Sequence, residues 1–395
     1  MRICIIVDDY LPNSTKVAAK MMHELAVRFK EKGHEITVVT PGVDLDESYK
    51  GKNLDGVFIL QFSSGRIKNV SKIERLINEL MLSKRAWRYL KKYFIQNRHD
   101  LVIYYSPSIF WGSLVFRLKK LWRVPSYLIL RDFFPQWVID NGMIREKSLM
   151  ACFFRYYERL NYKTANWIGI QSPANLEWFS KKFPEFKNTR LLYNWATDAP
   201  VLNKENFYRK KLNLEEKVVF FYGGNIGKAQ DMMNLIRLAD KMKSRTDVAF
   251  LLVGTGDEVG IIRKSIQDLK LNNMILLDPV PQEEFKIMLA EFDIGLFTLH
   301  FNHKTHNFPG KILGYMVQGK PILGVVNPGN DLKKILEDSQ SGLITIAGDD
   351  EGFYKNALIL LNDKIRKQMG KNANLLLRNK FSVDNAVDTI LETLS

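Results

Sequence analysis

Thr305-His306-Asn307-Phe308-Pro309-Gly310-Lys311-Ile312-Leu313-Gly314-Tyr315-Met316-Val317-Gln318-Gly319-Lys320-Pro321, followed by Ile322-Leu323-Gly324-Val325-Val326, is the stretch that sets the architecture. Pro309 suits a first helical turn, where a missing N–H costs nothing. Ile312, Leu313 and Met316 recur at helical spacing, and Gly319 followed by Pro321 is a stop signal. The stretch reads as loop, about three helical turns, stop and a buried strand. The amides of Gly310 and Lys311 at a helix N-terminus, with the lysine itself, can hold an anion. A plain connector helix with an incidental lysine fits the same residues.

The same unit recurs outward in both directions. Candidate strands before it are Ile3–Val7, Glu35–Thr40, Val57–Phe62, Leu101–Tyr105, Ser126–Leu130, Trp167–Gln171 and Arg190–Tyr193, with helical patterns between most of them. A second series runs through Val218–Tyr222, Ala249–Val253, Met274–Leu277, Ile294–Thr298 and Ile322–Val326. Strands alternating with helices predict doubly wound parallel sheets. The expected fold is therefore α/β, with two Rossmann-like domains facing across a cleft. Their expected ranges are 1–199 and 200–374, Asn194–Leu212 reads as the linker, and a helix within 375–395 is expected to pack back on the first domain.

Bulk properties narrow the function. With 58 Lys and Arg against 43 Asp and Glu, the net charge of +15 favours anionic partners. Cys4 and Cys152 are too few for a disulfide framework or a zinc cluster. The apolar start breaks at Asp8 and Asp9, so no export signal is expected there, and no run is long enough to span a bilayer. The expectation is a cytoplasmic chain, peripheral on a membrane.

Ligands of open α/β sheets bind beyond the carboxyl ends of the strands, so the polar residues there are the candidates. The first strand ends in Asp8-Asp9-Tyr10, with Ser14 and Lys16 beyond; others end at Ser106 and at Arg131-Asp132. The strand at 218–222 runs into Gly223-Gly224-Asn225-Ile226-Gly227-Lys228-Ala229-Gln230, and that at 249–253 into Gly254-Thr255-Gly256. There is no G-x-G-x-x-G, so no dinucleotide cofactor is expected, and no metal is expected, Asp8-Asp9 being adjacent carboxylates after a strand. Asp8 and Asp9 can position sugar hydroxyls or cap a turn; Arg131 and Asp132 can serve an acceptor or hold a loop as an ion pair.

The order of these motifs resembles a GT-B-fold, family 4 glycosyltransferase over essentially the whole chain. Gly33-His34-Glu35-Ile36-Thr37-Val38 is similar to that family's second strand, and Ser172 and Asn194 fall at its "S-x-S" and "P-N-G" segments. Within the family, Asp8-Asp9-Tyr10, Thr15–Met22, Tyr105–Phe110, Arg131–Trp137 and Gly224–Gln230 resemble bacterial O-antigen and capsule enzymes of the N-acetyl-L-fucosaminyltransferase type. The resemblance implies a UDP-sugar donor, an undecaprenyl-diphosphate-linked sugar acceptor and work at an anionic membrane surface. It implies donor contacts from Gly224, Asn225, Lys228, Gln230, Gly254, Val280, His306, Asn307, Gly310, Lys311 and Ile312. It implies acceptor or sugar contacts from Asp8, Asp9, Ser14, Lys16 and Ser106, and catalysis by Asp132, Arg131 and Lys311, with Arg131 reaching across from the first domain.

The departures from the family are as informative. His306 and Gly314 stand where its two motif glutamates belong, and Asn225 and Gln230 where a basic pair clamps the diphosphate. A neutral hydrogen bond contributes about 1 kcal/mol less than a charged one, so Lys311 and the amides near it must compensate. Without the glutamates, the retaining outcome of the family is not carried over, and inversion would need a base such as Asp132.

Arg66–His99 carries ten basic side chains against Glu74 and Glu79, interleaved with Leu80, Trp87, Leu90, Tyr93 and Phe94, and Val115–Arg123 continues the pattern. It reads either as a core-packed helix with a solvated face or as an interfacial segment on anionic lipid. Two other classes compete with a transferase. A UDP-sugar 2-epimerase shares the fold but needs no acceptor; a nucleic-acid-binding protein is disfavoured because no such motif is present.

Overall fold

The computed structural model describes residues 1–14, 16–67, 70–140, 142–201, 206–301 and 308–394. The chain forms two compact units, Met1–Tyr193 with Val383–Ser395, and Asn194–Ser382.

The first unit is built on eight strands: β1 (Arg2–Ile6), β2 (Glu35–Gly42), β3 (Tyr49–Leu54), β4 (Val57–Ser63), β5 (Leu101–Ser106), β6 (Ser126–Leu130), β7 (Trp167–Ile170) and β8 (Thr189–Leu191). Their order is β3-β4-β2-β1-β5-β6-β7-β8, parallel except for the β3–β4 hairpin. The parallel strands read as apolar runs because helices cover both faces of the sheet. The β3 strand escaped the sequence reading: Tyr-Lys-Gly-Lys-Asn-Leu at 49–54 is mostly exposed and has no apolar alternation. Its signal lies in the turn, where Asp55 and Gly56 both take positive φ (51° and 74°), as a two-residue hairpin of type I′ requires.

The helix Lys72–Gln96 starts where Ser71 Oγ accepts from the Glu74 amide at 3.2 Å. It buries Leu82, Ala86, Leu90 and Phe94, one residue per turn, in the core shared with β1, β4 and β5. Trp87 and Tyr93 pack against that core as well, and the Arg117 guanidinium lies 5.3 Å above the Trp87 ring. The aromatic side chains of the expected interfacial segment are thus taken up by the core, whereas Ile73, Ile77 and Ile95 of the helix, and Phe116 and Leu121 of the continuing stretch, are exposed. Leu90 and Phe94 are core residues, Trp87 and Tyr93 are partly buried against that core, Leu80 packs on a satellite cluster around Phe110, and the cations are on the helix's solvated side. Trp122, from the continuing stretch, is also buried.

The helix Val383–Glu392 returns to the first unit and packs on the helix Val17–Glu31. Ion pairs Lys32–Asp388 and Arg28–Asp384 flank the contact at 2.5 and 3.2 Å. They are partly exposed and contribute little; buried Val387 and Ile390 carry the contact.

The second unit has strands β9 (Val218–Gly223), β10 (Val248–Val253), β11 (Met274–Leu277), β12 (Ile294–Thr298), β13 (Ile322–Val326) and β14 (Gly342–Ile346). All are parallel, in the order β11-β10-β9-β12-β13-β14. Counted from β9, this is the three-two-one-four-five-six order of a Rossmann sheet. Asn194–Asp198, part of the expected linker, are tied to this unit. Ala196 bridges Ser382, and Asp198 accepts from Arg378 Nε at 2.6 Å. The linker stretch also holds a short helix, Phe207–Lys211.

The helix foreseen from 309 onward is Lys311–Val317, seven residues rather than three turns. Its stop is the one expected. Gly319 sits at φ 57°, its amide reaches the Met316 carbonyl at 3.1 Å, and the Lys320 amide reaches the Tyr315 carbonyl at 2.9 Å. That is a Schellman motif with glycine in the left-handed position.

If the terminal helix is held by its apolar face, Ile390→Ala lowers unfolding free energy by about 2–5 kcal/mol. Lys32→Ala costs less than about 1 kcal/mol. Chemical denaturation of the two variants checks the ranking.

Candidate functional site

In the second sheet the strand order reverses between β9 and β12, and their pairing ends early, at Ile294–Phe220 and Gly295–Phe221. Beyond that point Tyr315 fills the gap. Its hydroxyl accepts from the Gly223 amide at 3.4 Å and donates to the Leu296 carbonyl at 2.7 Å. A Cβ on Gly295 would meet the Tyr315 ring at 2.3 Å, so a glycine is needed there.

One turn earlier on the same short helix, Lys311 brings its amine over the Tyr222 ring, 3.5 Å from the centroid. The residue is partly buried, but its Nζ is shielded from solvent and has no hydrogen-bond partner. Burial holds its pKa well below the usual lysine range. A cation facing an aromatic ring gains some attraction, less than hydration gave it, so this amine is set for an anion. Gly224 lies beside it with φ 124°; a methyl there would stand 3.8 Å from Lys311 Nζ.

The other expected donor residues divide. The Gly224 amide donates to the Val253 carbonyl at 2.9 Å, and a Cβ on Gly254 would fall 1.8 Å from the Gly224 carbonyl oxygen. The two loops therefore meet backbone to backbone. Asn225 Nδ2 donates to Gln230 Oε1 at 2.6 Å, so these amides hold each other where a basic pair was expected. The Lys228 amide points to Asp257 Oδ1 at 3.3 Å and its side chain is exposed. Val280 sits after β11, at the sheet edge, away from the β9–β12 gap. The Ile312 amide donates to the Pro309 carbonyl at 3.2 Å, so it is not the free donor expected, and a seven-residue helix offers little dipole. Gly310 caps that helix. His306 and Asn307 lie outside the described residues.

In the first sheet the reversal falls between β1 and β5. Asp8 follows β1, Tyr105 and Ser106 end β5, and Arg131 and Asp132 follow β6. Arg131 donates to the Tyr105 hydroxyl at 3.0 Å, and Ser106 Oγ to the Asp132 carbonyl at 3.5 Å. Gln171 Nε2 fixes the Arg131 carbonyl at 2.8 Å. Burial raises the Asp132 carboxyl, with Arg131 opposing, and pushes Asp8 up to about 6. Asp9 pairs with Lys16 at 3.2 Å, while buried Ser14 accepts from the Lys16 amide.

Asp8 and Asp9 line a cavity of about 340 Å³ together with Asn13, Thr40, Gln61 and Arg66. Thr40 Oγ1 is buried there without a hydrogen-bond partner. Thr40 and Gln61 lie inside strands, so a search restricted to residues after strands passes over them. Their polarity within apolar runs was the available signal. Tyr10 holds the wall: its hydroxyl bonds His23 Nδ1 at 2.9 Å, and His23 Nε2 bonds Asp55 of the hairpin turn at 2.8 Å. Among the described residues no cluster of metal-ligating side chains is present.

Residues 203–375 match the family profile "Glycosyl transferases group 1". This span is a glycosyltransferase group 1 domain. Two curated relatives align. A Pseudomonas aeruginosa protein named "Probable glycosyltransferase WbjE" is 23% identical over 54% of this chain and 54% of its own. The match thus spans about half of that relative. A protein of Escherichia coli K12 named as a colanic acid biosynthesis glycosyl transferase, WcaI, is 23% identical over 69% of this chain and 70% of its own. Among solved structures, HepE of Anabaena in complex with UDP and glucose superposes with a TM-score of 0.70 at 15% identity, covering 100% of this chain and 99% of that one. At that identity the likeness establishes the fold, GT-B.

Two outcomes check the geometry. Gly254→Ala cannot be housed against the Gly224 carbonyl without moving backbone, so a fall of several degrees in melting temperature is expected. Asp8→Asn removes a carboxyl whose folded pKa exceeds its unfolded value. Ionised Asp8 therefore destabilises the fold above about pH 6 and is neutral below about pH 4. Denaturation across pH should show the variant more stable at pH 8, by on the order of 2 kcal/mol, with the gap closing at low pH.

Proposed function

We propose that the chain is a glycosyltransferase moving a sugar from a UDP-sugar to a sugar acceptor on a lipid diphosphate, in bacterial surface polysaccharide assembly. The observation that carries it is the buried, unpartnered Lys311 amine beside Gly224, at the carboxyl end of a Rossmann sheet. The UDP of the HepE complex and the surface-polysaccharide name of WcaI support the donor and the setting. The resemblance of Asp8–Tyr10, Arg131–Trp137 and Gly224–Gln230 to N-acetyl-L-fucosaminyltransferases supports an N-acetylated deoxyhexose of the L-FucNAc type.

In this reading the diphosphate lies on the Gly224 loop against Lys311. As the bond from C1 to the diphosphate oxygen breaks, the electron pair leaves with UDP and Lys311 neutralises the growing charge. The acceptor hydroxyl forms the new bond to C1 and gives its proton to a carboxylate acting as general base. Asp8 lines the cavity with Thr40, whose Oγ1 has no hydrogen-bond partner, and is our choice as base, with a pKa suited to the task. Asp132 is the second candidate, raised by burial as well. Arg131 orients Tyr105 beside both, and Asp9, Asn13, Thr40 and Gln61 hold the acceptor sugar. The positive charge of Lys311 makes a metal unnecessary.

Because burial holds the Lys311 amine low, UDP should bind with proton uptake. Calorimetric heats in buffers of different ionisation enthalpy should reveal it, and Lys311→Met should abolish the uptake while weakening UDP at least about tenfold. UDP binding undiminished in Lys311→Met would remove Lys311 from the phosphate role. For the base, the acidic limb of the kcat profile near pH 6 should vanish in Asp8→Asn and persist in Asp132→Asn; the reverse moves the role to Asp132. Isomerisation of UDP-GlcNAc without acceptor would replace transfer by epimerisation.

A further inference from the structure

The helix Leu149–Thr164 buries Ala151, Phe154, Glu158, Asn161 and Tyr162 on one face. On the opposite face a soluble helix ordinarily shows polar side chains. Here Leu149, Phe153 and Tyr156, spaced four and three residues apart, are exposed, Leu149 by 91% and Tyr156 by 64%. Met143 and Met150 are exposed beside them. The stripe is firmly seated. Phe153 lies 5.1 Å from the Tyr157 ring and Tyr156 5.3 Å from it. Tyr157 in turn packs on the cluster of Ile109, Phe110 and Phe154.

We propose that this stripe docks the chain on an anionic lipid surface. The charges beside it are the argument for that occupant. Arg145 and Lys147 are exposed just ahead of the helix, and the nearby Glu146 is engaged by Lys182 at 3.6 Å. Cations meeting lipid head groups, with leucine, methionine and aromatic side chains entering just below, is the arrangement of interfacial helices. Among the described residues no helix is long and apolar enough to cross a membrane, so the contact is superficial. The docking surface thereby moves from the basic helix Lys72–Gln96, whose aromatics are in the core, to the start of Leu149–Thr164. The inference deepens the lipid-acceptor reading and rests on it only for the reason the chain meets a membrane.

Cys152 is exposed inside the stripe and Cys4 is buried, so a polarity-sensitive fluorophore can be placed at Cys152 alone. Titrating the labelled full chain with phosphatidylcholine vesicles containing phosphatidylglycerol should shift its emission to the blue, and added salt should weaken the effect. The double variant Leu149→Glu/Phe153→Glu should partition at least about tenfold more weakly. No shift, an equal shift in the double variant, or equal binding to phosphatidylcholine alone overturns the proposal. A shift that grows with protein concentration in the absence of vesicles assigns the stripe to a second copy and overturns it too. UDP binding, measured in parallel, separates the readings: vesicle binding without UDP binding keeps this surface and removes the proposed transferase.

Discussion

Both sheets depend on a reversal of strand order. Right-handed crossovers running one way from the central strand put their helices on one face, and those running the other way put them on the opposite face. At the reversal the loops leaving the two strands must part. In the first unit this happens between β1 and β5, where Asp8, Tyr105 and Arg131 gather. In the second it happens between β9 and β12, where pairing stops after Phe221. There a single hydroxyl, that of Tyr315, takes over the hydrogen bonds the strands no longer exchange. The same short helix that supplies this hydroxyl carries Lys311, so repairing the gap and furnishing the site are one structural act.

The two reversals hold opposite charges under similar strain. Burial lowers the pKa of the Lys311 amine and raises that of the Asp8 carboxyl to about 6, so at each reversal the charged form is disfavoured. Neither state favours folding, and both are held by extensive apolar cores beneath the sheets. Groups displaced in this way mark places where stability yields to chemistry.

The parallel strands, most helices and the Gly319 stop were legible because burial on both faces and glycine in a left-handed turn leave direct marks on sequence. The β3 strand was not, since its exposed Lys50, Lys52 and Asn53 obey no burial pattern. Short β14, between two helices, was passed over. Among the candidate site residues, Gly224, Asp8 and Arg131 were picked out just past the carboxyl ends of strands, and Lys311 at the start of a short helix. Thr40 and Gln61 were missed because cavity walls reach into the strands themselves. The basic helix left two readings open for a different reason: helical spacing tells which residues share a face, not which way the face turns. Trp87 and Tyr93 face inward, and the outward apolar face belongs to Leu149–Tyr156, whose sequence looks like ordinary core.

The meeting of Gly254 with Gly224, and of Gly256 with the Ile226 carbonyl, leaves no room for a side chain between the two loops. Variation in this chain is therefore channelled. Residues 254 and 256 are closed to substitution by the facing backbone and 224 by its φ of 124°, whereas the exposed Lys228 on the rim is open to it. Selection, natural or in the laboratory, can change the chemistry of that rim while the backbone contact beneath it stays constant.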